Sequence, residues 1–373
     1  MNQGLKRELA LLGGLASLGL CLLGKKNLGA ALGLGCAGLA LLPGKSYSFQ
    51  DKTAIITGGS RGLGLALARN LLQQGAQVVI LARDQDELER ARLQLLEFGN
   101  DCQILALPCD VTNREALKQA IGSVTDNFGK IDVLINCAGS IAVGPFETME
   151  KIDFDLQLDL QLRAIIDAIE LVMPAFKKAG GGRIANICSI AGIIPVPHMS
   201  TYCAAKFAMA GLSETLAAEL AVDHVQLTTV YPGLMRTGSP IQAVFKGDCE
   251  KEYAWFAAGD VTPGLSVSAD TAARHILNGI QQGAARVTYP LITKIGILGH
   301  ATFPETYAFI MRSAARIMPK SNNRQRKTGA ESQGLLNRQF WYKPLLSIEE
   351  RAERELNQHK KYDAEYNLGL LTS

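Results

Sequence analysis

Tyr202 and Lys206 stand four residues apart in Tyr202-Cys203-Ala204-Ala205-Lys206, thirteen residues after Ser189. On a helix, side chains spaced by four share one face, one above the other. The ammonium then lies beneath the phenol ring and favours phenolate over phenol. A free tyrosine has a pKa of about 10, too high for ready proton exchange at neutral pH. A fixed positive charge close by lowers it toward the working range. The pattern reads as a general acid/base built from tyrosine, with Ser189 delivered from a neighbouring strand end to hold the reacting oxygen. Y-x-x-x-K is common by itself, so the reading depends on what lies upstream.

Upstream, the apolar run Thr53-Ala54-Ile55-Ile56 leads into Thr57-Gly58-Gly59-Ser60-Arg61-Gly62-Leu63-Gly64 and then into a helix-like stretch from Leu65 to Leu72. Strand, glycine turn, helix is the context a dinucleotide fingerprint requires. Gly58 permits a tight turn, Gly62 lets the backbone approach a pyrophosphate, and Gly64 lets helix and strand pack closely. The helix start offers free N–H groups and a positive dipole end to the phosphates.

The elements that must position these residues alternate regularly after Lys45. Further strands are predicted over Gln77–Ala82, Gln103–Pro108, Ile131–Cys137, Arg183–Cys188, Val225–Tyr231 and Ala285–Thr288. Helical patterns fill the gaps over Gln85–Phe98, Asn113–Phe128, Ile152–Lys178, Thr201–Val222 and Ala269–Gln281. Apolar strands separated by helices of that length imply an α/β fold, a Rossmann-like doubly wound parallel sheet of about seven strands covered on both faces.

In this order of motifs the chain resembles the short-chain dehydrogenase/reductase family of the compact type, whose pattern is TGxxxGxG, NNAG, Ser, YxxxK and PG. It supplies Thr57 to Gly64, Asn136-Cys137-Ala138-Gly139, Ser189, Tyr202 to Lys206, and Pro232-Gly233 with Thr237, a match over about residues 50 to 290. The resemblance implies an oxidoreductase that interconverts a ketone and a secondary alcohol through a nicotinamide cofactor, with Ser189, Tyr202 and Lys206 catalytic. It implies a cofactor site of Gly58, Ser60, Arg61, Gly62, Leu63 and Gly64 in the turn, and Asp110-Val111 beside the adenine. Asn136, Ala138 and Gly139 would pass the ribose, Tyr202 and Lys206 would reach the nicotinamide end, and Pro232, Gly233, Met235 and Thr237 the nicotinamide amide. One departure stands out. Where the family carries an asparagine in a D-x-N-L pattern, this chain reads Asp159-Leu160-Gln161-Leu162. Gln161 has the same amide on a longer arm and is a candidate for a displaced water relay from Lys206.

The second strand bears on cofactor choice. A carboxylate at its end would bond the adenosine ribose and repel a 2′-phosphate. This strand ends Leu81-Ala82-Arg83, with Arg61 in the glycine turn. Two guanidinium groups aimed at one ribose make a phosphate clamp, which in the family accompanies NADP(H). Asp84, next to Arg83, pulls the other way.

Composition narrows the remaining classes. A net charge of +3 over 373 residues, with no basic cluster interleaved with aromatics, argues against nucleic acid. Eight scattered cysteines include no CxxC and no His/Cys ligand spacing. This argues against a metal site or disulfide framework and for a reducing compartment. Cys137, Cys188 and Cys203 adjoin motif residues and read as small apolar fillers.

The N-terminus is anomalous. Leu9 to Gly24 and Asn27 to Gly44 carry no charge, Lys25-Lys26 divides them, and Gly29-x-x-x-Gly33 makes a small-residue face. Each run is a little short of the roughly 20 residues of a spanning helix. The readings are a two-helix membrane hairpin, a single span, a cleaved signal beginning at Lys6-Arg7, or a helical pair covering an apolar patch. An intracellular cofactor favours a membrane-associated protein with its catalytic domain facing the cytoplasm.

After Thr237, Phe245, Trp255 and Phe256 fall in the family's variable lid over the substrate, and His198 lies between Ser189 and Tyr202. With a membrane anchor, the lid points to a small apolar or lipid-like carbonyl or alcohol. Pro304 opens a helix that Pro319 ends, and Ser347-Ile348-Glu349-Glu350 reads as a capping box before a charged, solvated helix to about Lys361. Three units result: 1–45 as an apolar anchor, 46–290 as an NADP-binding catalytic domain, and 291–373 as a helical extension with a charged tail. Relatives commonly form homo-oligomers. The alternative function is a catalytically silent NADP(H)-binding sensor or scaffold. Epimerase and dehydratase relatives usually carry TGxxGxxG, which this turn does not.

Overall fold

Seven parallel strands run through the middle of the molecule: β1 (Thr53–Thr57), β2 (Gln77–Ala82), β3 (Ile104–Pro108), β4 (Val133–Asn136), β5 (Gly182–Ile187), β6 (Val225–Pro232) and β7 (Arg286–Tyr289). Their spatial order is β3-β2-β1-β4-β5-β6-β7, with every pairing parallel. This computed structural model describes residues 3–23, 25–41, 46–262, 266–337 and 343–358. The helices are α1 (Gln3–Leu22), α2 (Lys26–Leu41), α3 (Gly62–Leu72), α4 (Gln85–Leu95), α5 (Arg114–Phe128), α6 (Lys151–Leu158), α7 (Ala164–Ala179), α8 (Ser200–Glu219), α9 (Cys249–Val261), α10 (Ala269–Gln282), α11 (Leu291–Thr302), α12 (Pro304–Ile317) and α13 (Lys343–Glu355).

The sheet is buried on both faces because its strands are almost wholly apolar. Alternate residues feed opposite layers. Ile56, Val78 and Ile80 meet α3, α4 and α10 on one side. Ile55, Val79 and Leu81 meet α5, α7 and α8 on the other. Local chemistry sets several helix starts. Asp84 accepts from Glu87 N at 2.6 Å to cap α4, and Asn113 accepts from Glu115 N and Ala116 N, both at 3.1 Å, to cap α5. Strand order reverses between β1 and β4, which opens a crevice at their carboxyl ends.

Three expectations change. The helix foreseen over 152–178 is interrupted by a π-turn at Asp159–Arg163 between α6 and α7, which places Gln161 on a widened turn. The capping box at Ser347 does not start its helix: α13 begins at Lys343 and Ser347 lies inside it. That helix is not a solvated one either, because Ala352 and Leu356 join the core beside α3 and α4. Residues 359–361 of the foreseen helix, and the tail beyond, lie outside the described residues.

The N-terminal runs form an antiparallel helical pair. Gly13 faces Cys36, and Gly29 and Gly33 face Ser17 and Cys21, with Ser17 Oγ donating to Gly29 O at 2.6 Å. The small-residue face therefore packs α1 on α2. Among the described residues no helix is long and apolar enough to cross a membrane. The physical reason is that α1 opens on Lys6, Arg7 and Glu8. The 16 residues of α2 reach only about 24 Å at 1.5 Å per residue, against a hydrocarbon core of about 30 Å.

A small sheet joins Ala142–Val143, Val244–Phe245 and Lys327–Thr328. Lys246, directly after it, is buried against Asp153 at 2.7 Å and Glu150 at 2.8 Å, which ties this sheet to α6. Removing one member of a buried pair strands the other charge. Lys246→Met is expected to lower unfolding free energy by about 3 kcal/mol in urea titration; a change within about 0.5 kcal/mol, the range of an ordinary surface substitution, would show that the pair is solvated.

Candidate active site

The crevice gathers the residues whose spacing first drew attention. Ser189 follows β5 and accepts from Ala191 N at 3.1 Å through its Oγ, leaving its own proton to donate. Its side chain faces the Tyr202 hydroxyl closely enough to favour the ionised phenol. Tyr202 and Lys206 lie on the first turns of α8, 8% and 4% exposed. Lys206 Nζ sits 5.6 Å from the centroid of the Tyr202 ring and donates to Ile187 O at 2.9 Å. The spacing of four thus delivers the stacked pair it implied.

The electrostatic balance differs from the simple expectation. Burial raises the Tyr202 pKa above that of free tyrosine, and the Ser189 side chain opposes that rise only in part. Burial also lowers Lys206. Desolvation is the largest influence on the tyrosine, so in this geometry the phenol holds its proton. Burial also pushes the Cys137 thiol up to about 12 and Cys109 to about 11.

The glycine turn is shaped as a cradle. A Cβ at Gly64 would lie 2.1 Å from Gly58 O, and one at Gly58, where φ is +66°, 2.8 Å from Ala138 Cα. Only glycine lets the turn, α3 and the segment after β4 approach this closely. Thr57 Oγ1 accepts from Cys137 N at 3.0 Å and Ala138 N at 3.1 Å, holding that segment, with Gly139, beside the turn. Asn136 donates to Asn186 Oδ1 at 2.8 Å. Val111 is buried, while Asp110 takes Thr112 N at 2.9 Å. On the far side, Gly233 N donates to Tyr289 O at 2.9 Å and Thr237 N to Met235 O at 2.9 Å. These residues converge on one crevice, and their cradle fits a dinucleotide.

Other expected residues land differently. Gln161 is fully buried and donates to Ser140 O at 3.1 Å and to Gln157 Oε1, while its own Oε1 has no hydrogen-bond partner. Its amide is thus committed to Ser140 and Gln157, with one acceptor left over. Ser60 Oγ and Arg61 both donate to Glu87, Arg61 at 3.2 Å. Glu87 was missed: its only sequence signal was its place three residues after Asp84 at a helix start. Arg83 lies exposed just past β2. Phe245 and Phe256 are buried and Trp255 packs partly buried beside them in a third core that includes Tyr202. His198 Nδ1 lies 2.8 Å from Glu252 Oε1, and Trp255 Nε1 donates to Glu252 Oε2 at 2.7 Å. His198 is therefore a strut between α9 and the loop before α8.

Comparison with known proteins agrees with this geometry. The family model for the short chain dehydrogenase matches residues 52–244, more than half of the chain. The oxidoreductase SadH of Mycobacterium tuberculosis is 32% identical over 276 residues, covering 73% of this chain and 98% of that one. The 3-ketodihydrosphingosine reductase of Dictyostelium discoideum is 29% identical over 280 residues, covering 70% and 82%. L-sorbose reductase from Gluconobacter frateurii, solved with NADPH and L-sorbose, superposes with a TM-score of 0.58 at 26% identity, covering 65% and 97%. The chain belongs to the short-chain dehydrogenase family, and it is an oxidoreductase of that family acting between CH–OH and C=O.

Thiol labelling tests the burial described here. In native protein at pH 8, iodoacetamide is expected to modify exposed Cys102 and to leave Cys109 and Cys137 intact, since almost none of either is thiolate there. Rapid modification of Cys137 would show that the crevice wall is open to water.

Proposed function

We propose that this protein is an NADP(H)-dependent reductase of an apolar or lipid-like ketone, running in reverse as a secondary-alcohol dehydrogenase. Residues 46–290 would be its catalytic unit and the segment from 291 its helical cover. The observation that carries the reading is Lys206 beneath the Tyr202 ring, with Ser189 facing the phenol, at the reversal point of a parallel sheet.

NADPH, when bound, would supply a hydride to the carbonyl carbon. Tyr202 gives its phenol proton to the carbonyl oxygen. Ser189 donates a hydrogen bond to that oxygen as negative charge develops on it, where such a bond contributes most. Lys206 keeps a cation under the ring, which stabilises the phenolate left behind, and its ammonium would hold the nicotinamide ribose. The unpaired Gln161 Oε1 is a candidate for a water in that relay. Gly58, Ser60, Arg61, Gly62, Leu63 and Gly64 would take the phosphates, and Pro232, Gly233, Met235 and Thr237 the nicotinamide end. Arg83 and the lack of an acid at Ala82 support NADP(H), as does the structural neighbour solved with NADPH. Glu87, by engaging Arg61, weakens the clamp. An intact Ser189, Tyr202 and Lys206 speaks against a silent sensor.

The apolar substrate rests on the relative named for 3-ketodihydrosphingosine and on the surface around the mouth of the crevice. There α11 packs on Ile190 and Ile194, and Tyr307 of α12 donates to Pro195 O. Leu291, Leu298, Phe303, Phe309 and Ile317 are all exposed, the last at 87%. Arg312, Arg316 and Lys320 of the same segment are exposed as well. Exposed leucines on α1 and α2 form a second apolar face. Such faces with basic neighbours fit docking on an anionic membrane surface rather than crossing it.

NADPH oxidation measured against a panel of ketones and keto-lipids tests the activity. Tyr202→Phe is expected to lower turnover about a thousandfold with NADPH binding retained; activity within tenfold of the parent would rule out the assignment. Because burial raises the Tyr202 pKa, the acid form persists through neutral pH. Ketone reduction should then stay flat from about pH 6 to 8 and fall only in alkali, as the phenol ionises, while alcohol oxidation climbs with pH. On a sucrose gradient the protein is expected to float with vesicles containing phosphatidylserine, and Phe309→Asp with Ile317→Asp to reduce that flotation. Protein left wholly at the bottom would remove the membrane reading.

A further inference from the structure

The C-terminal segment contacts both loops assigned to the cofactor. Ala352 and Leu356 of the α13 region pack into the core beside α3 and α4, and Arg69 Nη2 donates to Glu355 O at 3.2 Å. The chain then turns at Asn357, where φ is +57°, directly over the glycine turn. Gly62 N donates to Leu356 O at 3.0 Å. Gly62 is the first residue of α3, so this N–H is one of the unpaired helix-start donors that an anion would use. Asn357 is fully buried. Its Nδ2 donates to Ser60 O and to Glu87 O, both at 2.9 Å, and its Oδ1 accepts from Arg90 Nε at 3.3 Å. Gln358 Nε2 donates to Thr237 O at 3.1 Å on the opposite loop.

The missing side chain of Gly62 marks what fills the seat. In the dinucleotide fold the second glycine is bare so that the pyrophosphate can come close. Here a Cβ on Gly62 would lie 3.2 Å from Gln358 Nε2 and 3.8 Å from Thr237 Cβ. At Gly238 a Cβ would lie 2.9 Å from Glu353 Cα, so the same segment presses on the second loop as well. Ser60 Oγ and the Arg61 guanidinium meanwhile donate to Glu87. The Leu356 carbonyl and the Glu87 carboxylate therefore take donors that a dinucleotide phosphate would engage, while the Gln358 amide fills the space beside Gly62.

We propose that Glu353–Gln358 is an autoinhibitory strap that occupies the pyrophosphate seat and must leave before the dinucleotide binds. The proposal rests on the dinucleotide reading above. A strap docked nine-tenths of the time weakens the apparent affinity about tenfold, because only the open fraction is competent. Its neutral groups carry partial charges where a pyrophosphate brings full ones, so saturating cofactor displaces it.

The test uses the full chain. Asn357→Gly keeps the left-handed backbone while deleting the amide, and Gln358→Ala empties the seat. In the double variant, NADPH and NADH titrated by intrinsic fluorescence are expected to bind about tenfold more tightly and to associate faster. Equal or weaker binding overturns the proposal. Hydrogen exchange on the unaltered chain gives a second readout that does not depend on a variant folding. NADPH is expected to speed exchange across residues 352–358, and slower exchange there would mean that the segment closes over bound cofactor, which also overturns the proposal. If neither protein binds either dinucleotide, the dinucleotide reading itself falls and takes the strap with it.

Discussion

A buried chain of side-chain hydrogen bonds fastens the helix that carries the reactive pair to the middle of the sheet. Asn136 at the end of β4 donates to Asn186 of β5 at 2.8 Å, Asn186 donates to Ser213 of α8 at 2.9 Å, and Ser213 donates to Met209 O at 2.7 Å. All three side chains are essentially without solvent. A buried amide must find partners or destabilise the fold by its lost hydration, so this relay admits one seating of α8. Tyr202 and Lys206, about three and two turns back from Ser213 along the same helix, inherit that seating. The tyrosine's distance from Ser189 is therefore set by the core more than by the crevice.

Core packing also explains why the acid–base chemistry leans toward proton donation. A cation below a phenol would, in water, favour ionisation. Inside this crevice both groups have lost hydration, and each is pushed toward its neutral form. The lysine's benefit is then greatest when negative charge actually appears on the tyrosine oxygen, which is the moment of proton transfer rather than the resting state.

How much of this was legible follows from how local each cause is. β2 was readable to the residue because Val78 to Leu81 is an unbroken apolar run and Gly75 stops the helix before it. The glycine turn and the Tyr202–Lys206 pair were readable for a similar reason, since fixed spacing on a known element decides which groups meet. The π-turn around Gln161 was not, because a helix widens only in response to what packs on it. Ser347 misled because a capping pattern is a local preference that the packing of α13 overrides. Glu87 and Asn357 escaped notice for the most physical reason: Ser60 is 27 residues from Glu87 and 297 from Asn357, and no periodicity encodes an encounter of that kind.

The Glu252 carboxylate has a mechanical consequence. It holds His198 with one oxygen and the Trp255 indole with the other, and it is sealed from water. His198 stands four residues before Tyr202, in a left-handed conformation that gives its loop little slack. Any outward swing of α9 must therefore break a buried contact to a charged group or drag that loop along. On the proposed function, admission of a ligand beneath α9 and alignment of Tyr202 become two ends of one lever.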